Sequence, residues 1–518
     1  MFRVLMLYPN IRIETLVPTA LALFSRILKD AGFEVNLFDT TYYGTTTELV
    51  DIDRAKKQNL IVRPCDIKHP IKATDGFEDF EKKIRDFNPD LIAVTATESM
   101  FPMALRYLEH APPNLPVLLG GVFATFAPDL AMSFPRIDML CVGEGERALV
   151  ELCNAMNSGK DRTKIPGIWV KDHDGRVIRN APGDPINPDD NPLPDLSIFE
   201  DTRHLQPRGG KVWRLFQVET HRGCPYKCTF CNSPDQDRLY EEATGKQFFR
   251  KKSMSKIREE LLHVIKNWGA NYIGFWADTF LAWTTHEFDA FCEMYQDIKL
   301  PFWCQTRLET LTRENVRRLK EAGVHRMDLG LEHGNEKFRR EVVDRRYPNS
   351  IAIEKIALLG EFKIPHTLNN IIGLPTETRE LAWDTIELCR QMPLDTARAS
   401  IFMPYHGTRL HALAVQKGYI PADLICPINP NEPVLDMPGF TKDQIKGFLR
   451  TFNMYVRFEK NRWSEIMQAE KMTSTGDSIF ERLQQEFKDR FYSAPADMTD
   501  DNLSNPNGPA TVLAGGLN

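Results

Sequence analysis

Short, wholly apolar runs alternate with amphipathic stretches through the first 157 residues. RVLMLY (3–8), EVNLF (34–38), LIAVT (91–95), PVLLG (116–120) and DMLCV (138–142) have the length and two-faced apolarity of buried parallel strands. Helical periodicity fills the gaps: LVPTALALFSRILKDAGF, stopped by Gly32, then stretches near 77–87, 100–110, 127–133 and 146–157. This pattern predicts an α/β fold with a doubly wound, Rossmann-like N-terminal domain over residues 1–160. Residues 40–75 are too polar for that core and read as an insertion.

Residues 161–211 break the pattern. GIWVKDHDGRVIR reads as a hairpin about an Asp-Gly turn, and five prolines between 182 and 194 mark a linker. From 212 the alternation returns. Strands near 213–220, 272–276, 302–306, 326–331, 367–372 and 397–402, with helices between them, make six βα units. A closed barrel needs eight, so a partial (β/α)6 barrel is expected over 212–410. Residues 411–492 read as helical, and 493–518 have the Pro, Asn and Gly content of a disordered tail.

Composition narrows the function by exclusion. A net charge of −6 gives no electrostatic footprint for nucleic acid. The longest apolar stretch near the N-terminus, LVPTALALF, is broken by proline and too short to span a bilayer, so a cytoplasmic protein without a transmembrane segment is expected. Ten cysteines without a secretion signal argue against a disulfide framework. Seven of them are scattered, mostly in apolar surroundings that suit small buried hydrophobes.

The other three are crowded into HRGCPYKCTFCNSP, as Cys224, Cys228 and Cys231. A structural zinc would want a fourth ligand, which only His221 could supply here. Three thiolates on one loop suit a [4Fe–4S] cluster with one iron left open to a chelating ligand. Gly223 and Pro225 favour the tight turn such a loop needs.

The C-x3-C-x2-C spacing after the first strand of a partial barrel resembles the radical S-adenosylmethionine (SAM) enzymes. Further motifs fall in step: WADTF (276–280), GLEHG (330–334), IIGLPTET (371–378) and MPYHGT (403–408), the last with His406 where proline is commoner. The resemblance implies that Cys224, Cys228 and Cys231 hold the cluster and that Asp278, Glu332, Gly373 and Pro375 contact SAM. It implies reductive cleavage of SAM to a 5′-deoxyadenosyl radical, with the electron from an external flavodoxin or ferredoxin type donor. Read on their own, Asp278 could cap the next helix, Glu332 could be a solvated loop carboxylate, and Gly373 and Pro375 could be turn formers.

GEGERA (143–148) formally fits a dinucleotide fingerprint, but it follows the last strand of its unit, and Glu144 and Glu146 would repel a pyrophosphate. The whole run VLMLYPN, FSRILKDAGFEV, LIAVTATES, LLGGVFAT and VGEGE is instead similar to the cobalamin (B12)-binding domain often joined to radical SAM barrels. That likeness implies cobalamin against Gly120, Gly121, Gly143 and Gly145. The D-x-H-x-x-G motif that supplies a lower cobalt ligand is missing; His69 comes nearest and reads as an ordinary loop residue.

Together the likenesses imply a cobalamin-dependent radical SAM enzyme, foremost a C-methyltransferase for a small-molecule or lipid substrate. A cobalamin-containing cyclase or ring-remodelling enzyme is the alternative. A tRNA methylthiotransferase is disfavoured because Cys65, Cys141 and Cys153 lack the spacing for a second cluster, and a non-enzymatic cobalamin sensor because the cysteine triad is intact. No general acid, base or nucleophile is assigned. Aromatics in NYIGFWADTFLAW (271–283) and FWCQT (302–306) are expected mostly in the core, with room for some to line a pocket for a planar or lipidic substrate.

Overall fold

The computed structural model describes residues 1–44, 65 and 67–491. Most of the 40–75 insertion and the 493–518 tail lie outside the described residues.

The first sheet runs in the order β2-β1-β3-β4-β5-β6-β7. Its strands are β1 Arg3–Tyr8, β2 Glu34–Asp39, β3 Leu91–Thr95, β4 Val117–Gly120, β5 Met139–Cys141, β6 Ile168–Lys171 and β7 Val177–Ile178. β1 to β5 are parallel. The strand period of two gives each its two buried faces: Val4 and Met6 join one core cluster, Leu5 and Leu7 another. The hairpin expected in the connector instead extends this sheet, with β6 antiparallel on β5. Edge pairing of this kind is set by the partner strand, not by the Asp-Gly turn that made the hairpin legible.

The second sheet runs in the order β16-β15-β14-β13-β12-β9-β8. β9 Lys211–Glu219, β12 Tyr272–Trp276, β13 Phe302–Arg307, β14 Val324–Glu332, β15 His366–Ile372 and β16 Thr396–Ile401 are parallel, and β8 Leu205–Arg208 pairs antiparallel on β9. These six parallel strands curl into a half-barrel open between β16 and β8, as the βα count predicts. The intervening helices carry their own stop signals. Ser253 caps Met254–Trp268 and Gly269 ends it at φ +66°; Thr284 and Glu287 form a capping box on Thr285–Tyr295.

The 182–194 segment forms no long element but packs tightly. The Asp195 carboxylate that follows it takes bonds from Ser25 and Lys29 on the first domain's helix Thr19–Asp30. At the other end of the chain, Lys442–Arg457 packs along β16 and the helix Arg379–Cys389. The half-barrel's outer face and one face of the first sheet share a continuous apolar core. Among the described residues no helix is long and apolar enough to cross a membrane.

Candidate functional site

β9 ends at Glu219 and delivers the chain to the carboxyl end of the half-barrel, where sites in such sheets form. The next residues make a small ribbon, β10 His221–Arg222 on β11 Arg250–Lys251. Gly223 then turns at φ +82°, where a Cβ would stand 2.8 Å from the Phe248 ring, so only glycine fits. The three cysteines follow, and Ser233–Thr244 closes the loop as a helix.

The loop is pinned from three sides. Thr229 donates to the Val342 carbonyl at 2.6 Å, Asn232 donates to the His406 carbonyl at 2.7 Å, and Arg409 reaches the Lys227 carbonyl. None of the ten cysteines is in a disulfide. Cys228 is buried and the thiols of Cys224 and Cys231 are half-buried; burial pushes the Cys224 thiol up and that of Cys231 to about 11. Each sulfur has a hydrogen-bonding neighbour: Thr279 at 3.4 Å from Cys224, Arg307 at 2.8 Å from Cys228, Ser233 at 3.5 Å from Cys231. Among the described residues no three His, Cys, Asp or Glu side chains gather tightly enough to hold one ion. His221, the conceivable zinc partner, is buried against Phe249 and Trp283; its Nδ1 meets the Thr220 hydroxyl, and burial holds its ring down to about 3.

Asp278 sits beside this loop. Its carboxylate accepts from the Ser233 hydroxyl at 2.7 Å, and burial pushes it above the usual carboxylate range. It does not cap the next helix, a role Thr284 fills. Glu332 is no solvated loop carboxylate. It ends β14 at φ +68°, with a register shift against β15, buried and paired to Arg345 at 2.9 Å. Burial pushes it upward while Arg345 opposes. A left-handed glutamate stores strain that the buried pair must hold.

Gly373 also turns, at φ +76°, but its open side faces Ile445 of the helix Lys442–Arg457 at 3.1 Å. Pro375 lies in the loop that buried Glu377 ties down, accepting the Leu374 N–H at 2.9 Å and meeting His333 at 3.1 Å. Neither Gly373 nor Pro375 is among the residues lining the large cavity, whereas Asp278 is.

That cavity, of about 450 Å3, lies between the two sheets. One wall is the first sheet's loops: Gly120, Gly121, Gly143 and Gly145, with Leu21, Phe24, Leu118 and Leu149. The other is the barrel mouth: Gln217, Glu219, His221, Trp276 and Asp278. The four glycines differ. A Cβ on Gly121 would meet the Ala96 carbonyl at 2.7 Å, on Gly143 the Tyr240 hydroxyl at 2.5 Å, and on Gly145 the Phe24 ring at 3.0 Å. On Gly120 nothing comes closer than 3.8 Å, so it leaves space to the cavity.

The walls are stitched by buried charge. Arg222 bonds Glu144 at 2.7 Å and Glu146 at 2.6 Å across the seam, and Glu219 on its own side at 3.0 Å; Arg250 also holds Glu144, at 2.7 Å. Burial would raise the Glu144 carboxyl, but Arg250 and Arg222 hold it below its ordinary range. The two glutamates that read as repelling a pyrophosphate are thus already neutralised. A dinucleotide is still disfavoured by the strand order.

Residues 218–389 match the radical SAM superfamily, and residues 14–153 match the B12 binding domain. The chain is a radical SAM enzyme with a B12-binding domain. This radical SAM enzyme is 29% identical over 405 residues to an uncharacterized methyltransferase of Pyrococcus horikoshii, covering 76% of the chain and 84% of the relative. It is 26% identical to an anaerobic magnesium-protoporphyrin IX monomethyl ester cyclase of Rubrivivax gelatinosus, over 62% of the chain and only 58% of the cyclase's length. Its fold matches the structure of OxsB, a cobalamin-dependent S-adenosylmethionine radical enzyme solved with aqua-cobalamin and S-adenosylmethionine bound, at TM-score 0.63 and 15% identity, over 94% of the chain and 71% of OxsB.

Sequence reading missed Arg222, Ser233, Thr279 and Arg307. Arg222 and Ser233 flank the cysteine motif, and their position was the available signal. Arg307 reaches Cys228 from a strand 79 residues away, and nothing local announces it.

Proposed function

We propose that this protein is a cobalamin-dependent methyltransferase acting on an unactivated carbon of a small molecule. One observation carries the reading: similarity to a methyltransferase runs through both domains, and the same two domains wall one cavity. The residues fit the cofactors. Three thiols on one pinned loop, each with a polar neighbour, suit a [4Fe–4S] cluster on Cys224, Cys228 and Cys231. Asp278, beside the loop and inside the cavity, is the first candidate to hold SAM; Glu332, Gly373 and Pro375 do not line that cavity, and the motif resemblance alone offers them as further SAM contacts. The open side of Gly120 and the apolar first-sheet wall suit cobalamin.

Bound together, these cofactors supply radical activation of the substrate carbon and the methyl group it receives. The chain's own work is placement and exclusion. The three thiols would hold the cluster as thiolates, their protons released to solvent, and Thr279, Ser233 and Arg307 replace water around the sulfurs. The Arg222 network closes the seam against solvent. On the substrate side, Trp276 is 41% exposed beside Trp303, ring centroids 6.3 Å apart, and Gln217 Oε1 is buried without a partner. This pairing favours a flat substrate that offers an N–H or O–H. Ten cysteines without a disulfide fit the reducing cytoplasm, where a flavodoxin or ferredoxin type donor would supply the electron.

Anaerobic reconstitution with iron, sulfide, hydroxocobalamin, SAM and reductant tests the reading. Retained corrin absorbance and 5′-deoxyadenosine release are expected, and absence of both would sink it. The likeness to the Rubrivivax cyclase keeps cyclisation as a second reading. Product mass separates them: methyl transfer adds one methyl and consumes two SAM, whereas cyclisation adds none.

A further inference from the structure

The three thiols are not equivalent. Cys224 has a hydroxyl neighbour, Cys231 accepts the Ser233 N–H at 3.5 Å and meets the oxygen of the Ser233 hydroxyl, which itself donates to Asp278, at 3.5 Å, and Cys228 alone takes a cation, Nη1 of Arg307 at 2.8 Å. That guanidinium is 6% exposed and has little freedom. The Tyr226 ring lies 4.0 Å from its Cζ, and Glu309 Oε1 accepts from Nε at 2.7 Å and from Nη2 at 2.6 Å. Arg345, also buried near Cys228, is committed to Glu332 and to the Gly330 carbonyl. Cys228 is therefore the one sulfur with a positive charge in hydrogen-bond contact, in surroundings that screen it weakly.

We infer that Arg307 is a positioning residue that raises the reduction potential of the cluster bound through Cys228, a conclusion that rests on the cluster assignment above. One-electron reduction, by the external donor, adds negative charge that the cysteine sulfurs share. A fixed cation at one sulfur stabilises the reduced state more than the oxidised one. No bond to Arg307 forms or breaks, and its protons stay in place. Glu309 fixes the fork and offsets part of its charge.

The test uses the full chain, reconstituted anaerobically, as wild type, Arg307→Met and Arg307→Lys. Iron and sulfide per chain are measured first, then the midpoint by a redox titration followed by electron paramagnetic resonance. Arg307→Met is expected to keep its iron and to hold roughly tenfold less reduced cluster at a fixed potential, a midpoint lower by about 59 mV for one electron. Arg307→Lys, which keeps the charge but not the fork, should fall between. Unshifted midpoints at full iron content overturn the inference. So does loss of iron in the methionine variant with an unshifted lysine variant, which would leave Arg307 a loop support only. A wild type that takes up no iron instead overturns the cluster assignment itself, and the inference with it.

Discussion

The two sheets end their strands differently. β4 and β5 of the first run into Gly120, Gly121, Gly143 and Gly145, and the charges there, Glu144 and Glu146, line the cavity already paired in the Arg222 network. β9, β12, β13 and β14 of the second run into cysteines, Asp278, Arg307 and Glu332. One sheet supplies backbone and room; the other supplies ligands and charge. A large ligand held by shape needs the first kind of wall, and a small ion cluster held by bonds needs the second.

The largest break in this comparison should come from the second wall. Cys224→Ala is expected to lose cluster iron and 5′-deoxyadenosine formation to background while the corrin still binds; iron assay and product chromatography read both. A variant that cleaves SAM at the wild-type rate would remove the cysteine from its place.

Next is the seam. Arg222→Met leaves Glu144, Glu146 and Glu219 buried together without their shared cation. Breaking a buried pair in this way costs about 3–5 kcal/mol, so a lowered melting temperature and loss of corrin retention are expected together. An unchanged melt would show that the walls do not depend on the network.

The glycine wall can be probed with a matched pair. Gly121→Ala forces a Cβ against the Ala96 carbonyl at a φ of +99°, at an expected cost of about 1–3 kcal/mol. Gly120→Ala, whose Cβ meets nothing closer than 3.8 Å, should leave the melt nearly unchanged while weakening corrin binding in a spectral titration. If the two behave alike, Gly120 does not face the ligand.

The smallest effect lies at a second contact between the domains. Buried Glu98 accepts the backbone N–H of His406 and of Cys426, each at 3.0 Å, and lies 3.1 Å from His406 Nδ1, a close ion pair without the alignment of a hydrogen bond. Burial opposes both charges, yet Glu98 holds the His406 ring above its usual value, and His406 with the two N–H groups holds Glu98 below its own. His411, its ring tilted by 38° with centroids 4.3 Å apart, is pushed down by burial and by His406. A raised histidine stabilises fully below about pH 6.5 and loses that contribution as pH rises through its folded pKa. A depressed carboxylate stabilises above about pH 4.5 and loses it as pH falls through its own. The pair's own contribution should therefore be greatest between those limits, and His406→Gln should flatten the fall in melting temperature as pH rises through the folded His406 pKa. An identical fall in the variant would count against the pair.

Much of this was readable in order along the chain. The first sheet's parallel strands are largely apolar on both faces, and such runs stand out, whereas half-barrel strands such as FWCQTR and TARASI mix polar residues among apolar ones. Helix Ser233–Thr244 does not: SPDQDRLYEEAT is polar nearly throughout, and it forms because the cysteine loop feeds it and Tyr240 packs under Gly143. Asp278 and the cysteines are legible because their chemistry is local in sequence. Arg307, and the pairing of Glu144 with Arg222 and Arg250, depend on residues 78 to 106 positions apart, which only the tertiary fold brings together.

Arg222 stands in the two-residue strand that leads into Cys224, yet much of its charge belongs to the other sheet. The approach to the cysteine loop is thus a shared property of both halves. In the language of linkage, a corrin that settles the Arg222 side chain raises the affinity of the loop for iron, and iron on the loop must raise the affinity for corrin by the same factor. Cofactor loading then becomes a cooperative event, and a chain stripped of one cofactor is expected to release the other more readily.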